Sequence, residues 1–246
     1  MKKILLLITV FAGLAIGTAF ATSWSRANID CPICKTTNEF HFLQGWGSSG
    51  ASTHAQLQHI HWLEENRFAS VRTCKNCRYT AFMWNFSNID STTIGKIQKA
   101  LPYLELPAQN YSDCITKRLA NARQIYKLYR YDDADFWNDF YRVQGFHYAR
   151  IRNVNQAETA RLKALAITSS LLTIPENEYR KKELLFIASS MRYFTNREHD
   201  KALKDIDLAL TMTYNNPNLQ PYQNERLNSH LTRQLEHLKW RINNRQ

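Results

Sequence analysis

The residues in this chain best suited to chemistry are four cysteines. Cys31-Pro32-Ile33-Cys34 and Cys74-Lys75-Asn76-Cys77 form two Cys-x-x-Cys turns separated by thirty-nine residues. Each turn can aim two thiolates at one ion, and two turns complete a tetrahedron, the zinc-ribbon arrangement. Four protein ligands leave no open coordination position, so Zn2+ held by Cys31, Cys34, Cys74 and Cys77 is expected to be structural and not catalytic. Two other chemistries use the same residues. Cys-Pro-x-Cys also occurs as a redox motif, its first thiolate activated at a helix N-terminus, and Cys31 and Cys34 would then serve a thiol-disulfide oxidoreductase. That fold needs a βαβ context, and here the motif begins only about ten residues after a processing site, with no βαβ pattern behind it. In an oxidising compartment the pairs Cys31–Cys34 and Cys74–Cys77 could instead close as disulfides. Zinc is the expectation, with the other two readings kept as alternatives.

No other constellation competes. Cys114 reads as a small buried apolar residue in a helix. His59 and His61 lie between the two turns and read as part of a polar loop or helix face. Glu64-Glu65 and Asp132-Asp133 read as solvated or helix-capping charges. No Ser-His-Asp set, phosphate-binding glycine loop or HExxH pattern is present, so no enzyme is expected.

The elements that must position the cysteines fall in residues 22–90. The aromatic runs Phe40-His41-Phe42 and Tyr79-Thr80-Ala81-Phe82 read as short strands, and residues 45–50 read as a glycine-rich loop. From Ser91 onward the periodicity is helical. Ser112 or Asp113 is expected to cap a helix in which Ile115, Leu119, Ala122, Tyr126 and Tyr129 recur on one side. Asp132-Asp133 begin another, carrying Phe136, Phe140 and Tyr141. Further helices are expected at 155–172, 177–194, 199–213 and 222–243, the last burying Leu227, Leu231, Leu235, Leu238 and Ile242. Scarce glycine and proline, seven and six in the whole chain, agree with a mainly α fold.

Two helix pairs are related. Tyr141, Gly145, Tyr148, Ala157 and Ala164 recur forty-five residues later as Phe186, Ser190, Tyr193, Ala202 and Ala209. Small residues let antiparallel helices approach, and the aromatics fill the groove beside them. The order resembles tetratricopeptide packing, although the spacing exceeds the usual thirty-four residues and Arg161 stands where the second unit has Ile206. Such stacks usually present a concave surface to a peptide or protein, so a protein partner is expected on the helical repeats.

Residues 1–21 read as a secretory signal: Lys2-Lys3, an apolar run from Ile4 to Ile16, and Ala19-Phe20-Ala21 before cleavage. An uncleaved N-terminal anchor is the alternative. The run is short of the about 20 residues of a bilayer span, and no later segment is apolar enough to be one. The mature chain is expected to be exported, periplasmic or secreted. The formal charge is +11, which could attract nucleic acid, and a basic nucleic-acid-binding zinc-ribbon protein is the remaining alternative. The basic residues are interleaved with acids, however, and the longest run is Arg180-Lys181-Lys182. With export this leads to no expected nucleic-acid partner. The chain thus divides into 1–21 signal, 22–90 four-cysteine module and 91–246 helical domain.

The order Cys-Pro-x-Cys, then Phe40 and Phe42, then Cys-x-x-Cys followed by Tyr79, Ala81, Phe82 and Phe86, resembles the bacterial domain-of-unknown-function family 2225. The resemblance implies a zinc-ribbon-type module joined to tetratricopeptide-like helices, with metal ligation by Cys31, Cys34, Cys74 and Cys77, and carries no established activity. Family members typically place glycine after the second cysteine of each pair, where the chain turns left-handed. Here those positions hold Lys35 and Arg78.

Overall fold

The computed structural model describes residues 23–45, 71–104, 111–195 and 198–244. The signal segment 1–21, His59, His61, Glu64 and Glu65 lie outside them. Strands β1 (Ser23–Asp30) and β2 (Thr37–Gly45) form one antiparallel hairpin, and β3 (Val71–Thr73) and β4 (Thr80–Phe82) form a second. Strand β1 carries no strong apolar pattern, so its sequence alone does not mark it as a strand. Its outward residues include Arg26, which pairs with Glu39 of β2 at 3.2 Å, while Ser25, Ala27 and Ile29 are half-buried, the period of two that one covered face produces. Tyr79 is not part of a strand. It closes the turn before β4, whose three residues are all buried.

Seven α-helices follow among the described residues: α1 (Ser91–Ala100), α2 (Tyr111–Tyr126), α3 (Ala134–Arg150), α4 (Val154–Leu171), α5 (Lys181–Phe194), α6 (His199–Leu210) and α7 (Pro221–Asn243). Short polar side chains start three of them. Asp90, Asp133 and Asn153 each accept a backbone N–H from three residues on, satisfying donors that have no partner inside the helix. Neither Ser112 nor Asp113 caps α2. The helix begins at Tyr111 and Asp113 lies in its first turn, where a carboxylate favours the dipole without ending the chain's entry. Tyr129 falls beyond the end of α2, in a turn. The helix expected over 177–194 starts as a 3-10 turn at Pro175–Arg180. Arg180 clamps the Asp135 carboxylate at 2.8 and 3.0 Å and fixes that turn to the start of α3.

The two related helix pairs are α3/α4 and α5/α6, and each folds as a hairpin. Gly145 sits where they cross. A Cβ built on it would meet Arg161 Cγ at 2.9 Å and the Ala157 carbonyl at 3.4 Å, so a larger residue would push α3 and α4 apart. Ser190, its counterpart, is buried and turns its hydroxyl back to the Phe186 carbonyl at 2.8 Å. Arg161, the odd member of the pattern, reaches out of its own hairpin. Its guanidinium lies 4.9 Å over the Phe194 ring and donates to the Phe194 carbonyl at 3.3 Å. The residue that breaks the repeat thus ties the first hairpin to the second. Leu231, Leu235, Leu238 and Ile242 of α7 are buried as expected, but Leu227 is 37% exposed. At that end of α7 the inner face is taken by Asn224 and Asn228, which bind the backbone of residues 214–216 instead.

The cysteine module and the first helices share one apolar core. Ile33, Tyr79, Phe82 and Phe86 pack in the same cluster as Ile97, Ile115, Leu119, Tyr126 and Phe140. A second cluster joins α4, α5, α6 and α7. No described helix is long and apolar enough to cross a membrane.

Candidate metal centre

Each Cys-x-x-Cys opens the six-residue turn of one hairpin. The register pairs Asp30 with Thr37 and Thr73 with Thr80, which leaves residues 31–36 and 74–79 as matching loops. Their hydrogen bonds match too. The Cys31 amide donates to the Thr36 carbonyl (3.0 Å) and the Lys35 amide to the Cys31 carbonyl (2.9 Å). Cys74 with Tyr79 (2.8 Å) and Arg78 with Cys74 (3.1 Å) repeat the pattern. Closing the loop this way requires a left-handed residue after the second cysteine, and Lys35 and Arg78 adopt φ of 62° and 65°. A side chain in that conformation costs on the order of 1 kcal/mol relative to glycine. Arg78 offsets part of it by donating to the Leu104 carbonyl at 2.8 Å.

The two loops face each other and bring Cys31, Cys34, Cys74 and Cys77 together, all four Sγ atoms lying within 4.8 Å of one another. Two of the separations between loops, Cys31–Cys77 and Cys34–Cys74, are both 3.6 Å. A tetrahedral ion with metal–sulfur bonds of about 2.3 Å requires sulfur–sulfur edges of about 3.8 Å. The four sulfurs are therefore close enough to one another to hold one metal ion. All four thiols are free and none is bonded to its Cys-x-x-Cys partner. Cys31 and Cys74 are 0% and 1% exposed, Cys34 and Cys77 half-buried.

Electrostatics inside the cluster explain why it suits a cation. The hydrogen bond from the Cys77 thiol pushes Cys31 down to about 5, against its burial, with help from the Cys34 and Ile33 amides. The same contact, with burial, pushes Cys77 up. Burial raises Cys74 despite the Cys77 and Asn76 amides. Cys34 is brought down in spite of burial by the Thr36 hydroxyl and amide. Backbone N–H groups are thus turned toward every sulfur, yet four thiolates cannot coexist at this spacing unless a positive ion separates them.

Asn38 was not visible as a functional residue. It is 2% exposed and holds the two loops to each other. Its Oδ1 accepts from the Lys75 amide at 2.9 Å, and its Nδ2 donates to the Thr36 carbonyl at 2.8 Å and to Cys74 Sγ at 3.6 Å. The one signal available in the sequence is a strand-disfavoured residue just inside β2. Replacing Asn38 by Leu should weaken metal retention about 10- to 100-fold while leaving all four ligands in place. Competition with a chromophoric chelator would measure it, and an affinity equal to wild type would reduce Asn38 to a packing residue.

Cys114 is buried on α2 and is not part of the cluster. Asp133 serves as a helix cap and pairs with Arg130 at 2.8 Å.

No curated protein and no solved structure matches this chain. Residues 24–230, most of its length, match the family described as an uncharacterized protein conserved in bacteria. The double cysteine hairpin and the helices packed on it are therefore those of a bacterial DUF2225 protein, the family to which this chain belongs.

Proposed function

We propose that this is an exported, non-enzymatic interaction scaffold in which a structural zinc on Cys31, Cys34, Cys74 and Cys77 fixes one end of a tetratricopeptide-like helical stack that binds a protein partner. The observation that carries the reading is the closed sulfur cluster built into the same core as α2 and α3. Four ligands from one chain leave no position for a substrate, and a site continuous with the core acts on the fold. Successive packing supports the repeat reading: α4 lies against α5 and α6 against α7, as stacked helix pairs do. The signal-like residues 1–21 support export.

The mature, metal-loaded protein, immobilised and exposed to envelope extract, should retain a discrete partner in a manner independent of nuclease treatment. It should be silent in an insulin-reduction assay. Insulin reduction dependent on Cys31 would replace the scaffold by a thiol-disulfide enzyme. Recovery no different from blank beads would remove the partner reading.

A further inference from the structure

An open groove of about 640 Å³ lies between α5, the segment after α6 and the start of α7. Its walls are braced. Asn228 accepts from the Tyr214 amide at 2.7 Å and donates to the Tyr214 carbonyl at 2.5 Å. Asn224 does the same to Asn216 at 2.9 and 3.0 Å. Four residues of helix rise about 6 Å and two of extended chain about 6.6 Å, so the asparagines match alternate peptide groups. The other edge of the segment is held where the Asn215 amide donates to the Tyr179 carbonyl at 3.0 Å.

Two charges of opposite sign line the groove, Lys182 from α5 and Glu225 from α7. Lys182 is 4% exposed. Among the described residues its ammonium reaches two neutral oxygens, Thr232 Oγ1 at 2.8 Å and Asn228 Oδ1 at 3.5 Å. Burial lowers its proton affinity, the sign of a cation without a counter-charge. Glu225 is exposed. Neither forms an ion pair with the other or with any described residue, although the same chain satisfies Lys181, Lys201 and Lys239 with carboxylates. A lysine kept only to tie α5 to α7 needs no charge, since an apolar residue of the same length would fill the space without desolvating an ammonium.

We propose that this groove binds a zwitterionic amino acid or short peptide, its carboxylate on the Lys182 ammonium and its own ammonium on the Glu225 carboxylate. The inference stands apart from the scaffold reading, because it needs no protein partner and no metal chemistry. Calorimetric titration of the full, metal-loaded chain with trialanine tests it. Saturable binding with a dissociation constant of about 1 mM or tighter is expected. Trialanine amide and N-acetyl-trialanine should each bind at least about tenfold more weakly, having lost one charge-assisted contact. Lys182→Met should lose binding with its thermal midpoint kept. If that variant misfolds, Glu225→Gln at its exposed position should lower the affinity by a similar factor. No saturation up to about 10 mM, capped peptides bound as well as trialanine, or Glu225→Gln bound as well as wild type would each overturn the proposal.

Discussion

The protein purified from the cells that make it is expected to contain one zinc per chain, and stripping that zinc should lower the thermal midpoint by more than about 10 °C. The size of the effect follows from where the cluster sits. Cys31 and Cys74 are fully buried members of the core that also holds Tyr79, Phe82, Phe86 and Tyr126. Without an ion, sulfurs 3.6 Å apart must share protons or repel. The left-handed Lys35 and Arg78 then impose their strain on loops that nothing closes. Cys74→Ser should reproduce the loss, because it leaves three ligands and a buried hydroxyl in place of the fourth. Elemental analysis with thiol counting decides the matter. One zinc with four protected thiols is the expected result. No metal and no free thiol except Cys114 would replace the centre by two disulfides.

The second large effect is expected at Phe82. Its ring stacks on Trp84 at 4.6 Å and meets Tyr126, Phe140 and Phe136 at 5.5, 5.6 and 6.0 Å. Its amide donates to the Tyr126 hydroxyl at 2.8 Å. β4 is thereby locked to α2 and α3 by one side chain and one peptide group. Phe82→Ala should cost about 3–5 kcal/mol, read as a drop of about 10 °C in the thermal midpoint. It should also weaken metal retention, since β4 carries the second cysteine loop. Unchanged metal affinity in a destabilised variant would mean that the cysteine module folds independently of the helices.

How much of this could be read from residue order depends on how local each feature is. The cysteine turns are local. Two thiols three residues apart on a tight loop announce a metal knuckle, and the family resemblance implied the left-handed position after each second cysteine that Lys35 and Arg78 occupy. The repeat is local within each hairpin, so Gly145, Ser190, Ala202 and Ala209 could be placed at helix contacts from their spacing alone. Other features were out of reach. Ser112 and Asp113 lie inside α2 and not at its cap. Leu227 keeps the period of its helix yet stays exposed, and at that end of α7 it is Asn224 and Asn228 that bind the backbone of residues 214–216.

The chain's order by itself determined the two cysteine turns, the helical class of the described residues from Ser91 onward and the small residues on which the hairpins close, because each rests on contacts a few residues apart. Only the tertiary structure decided that the two cysteine loops meet, that Asn38 pins them, that Arg161 bridges the hairpins, and that Lys182 and Glu225 line one groove. Those pairings join positions tens of residues apart. Packing chooses among such partners by shape and charge in three dimensions, and sequence spacing carries no record of that choice.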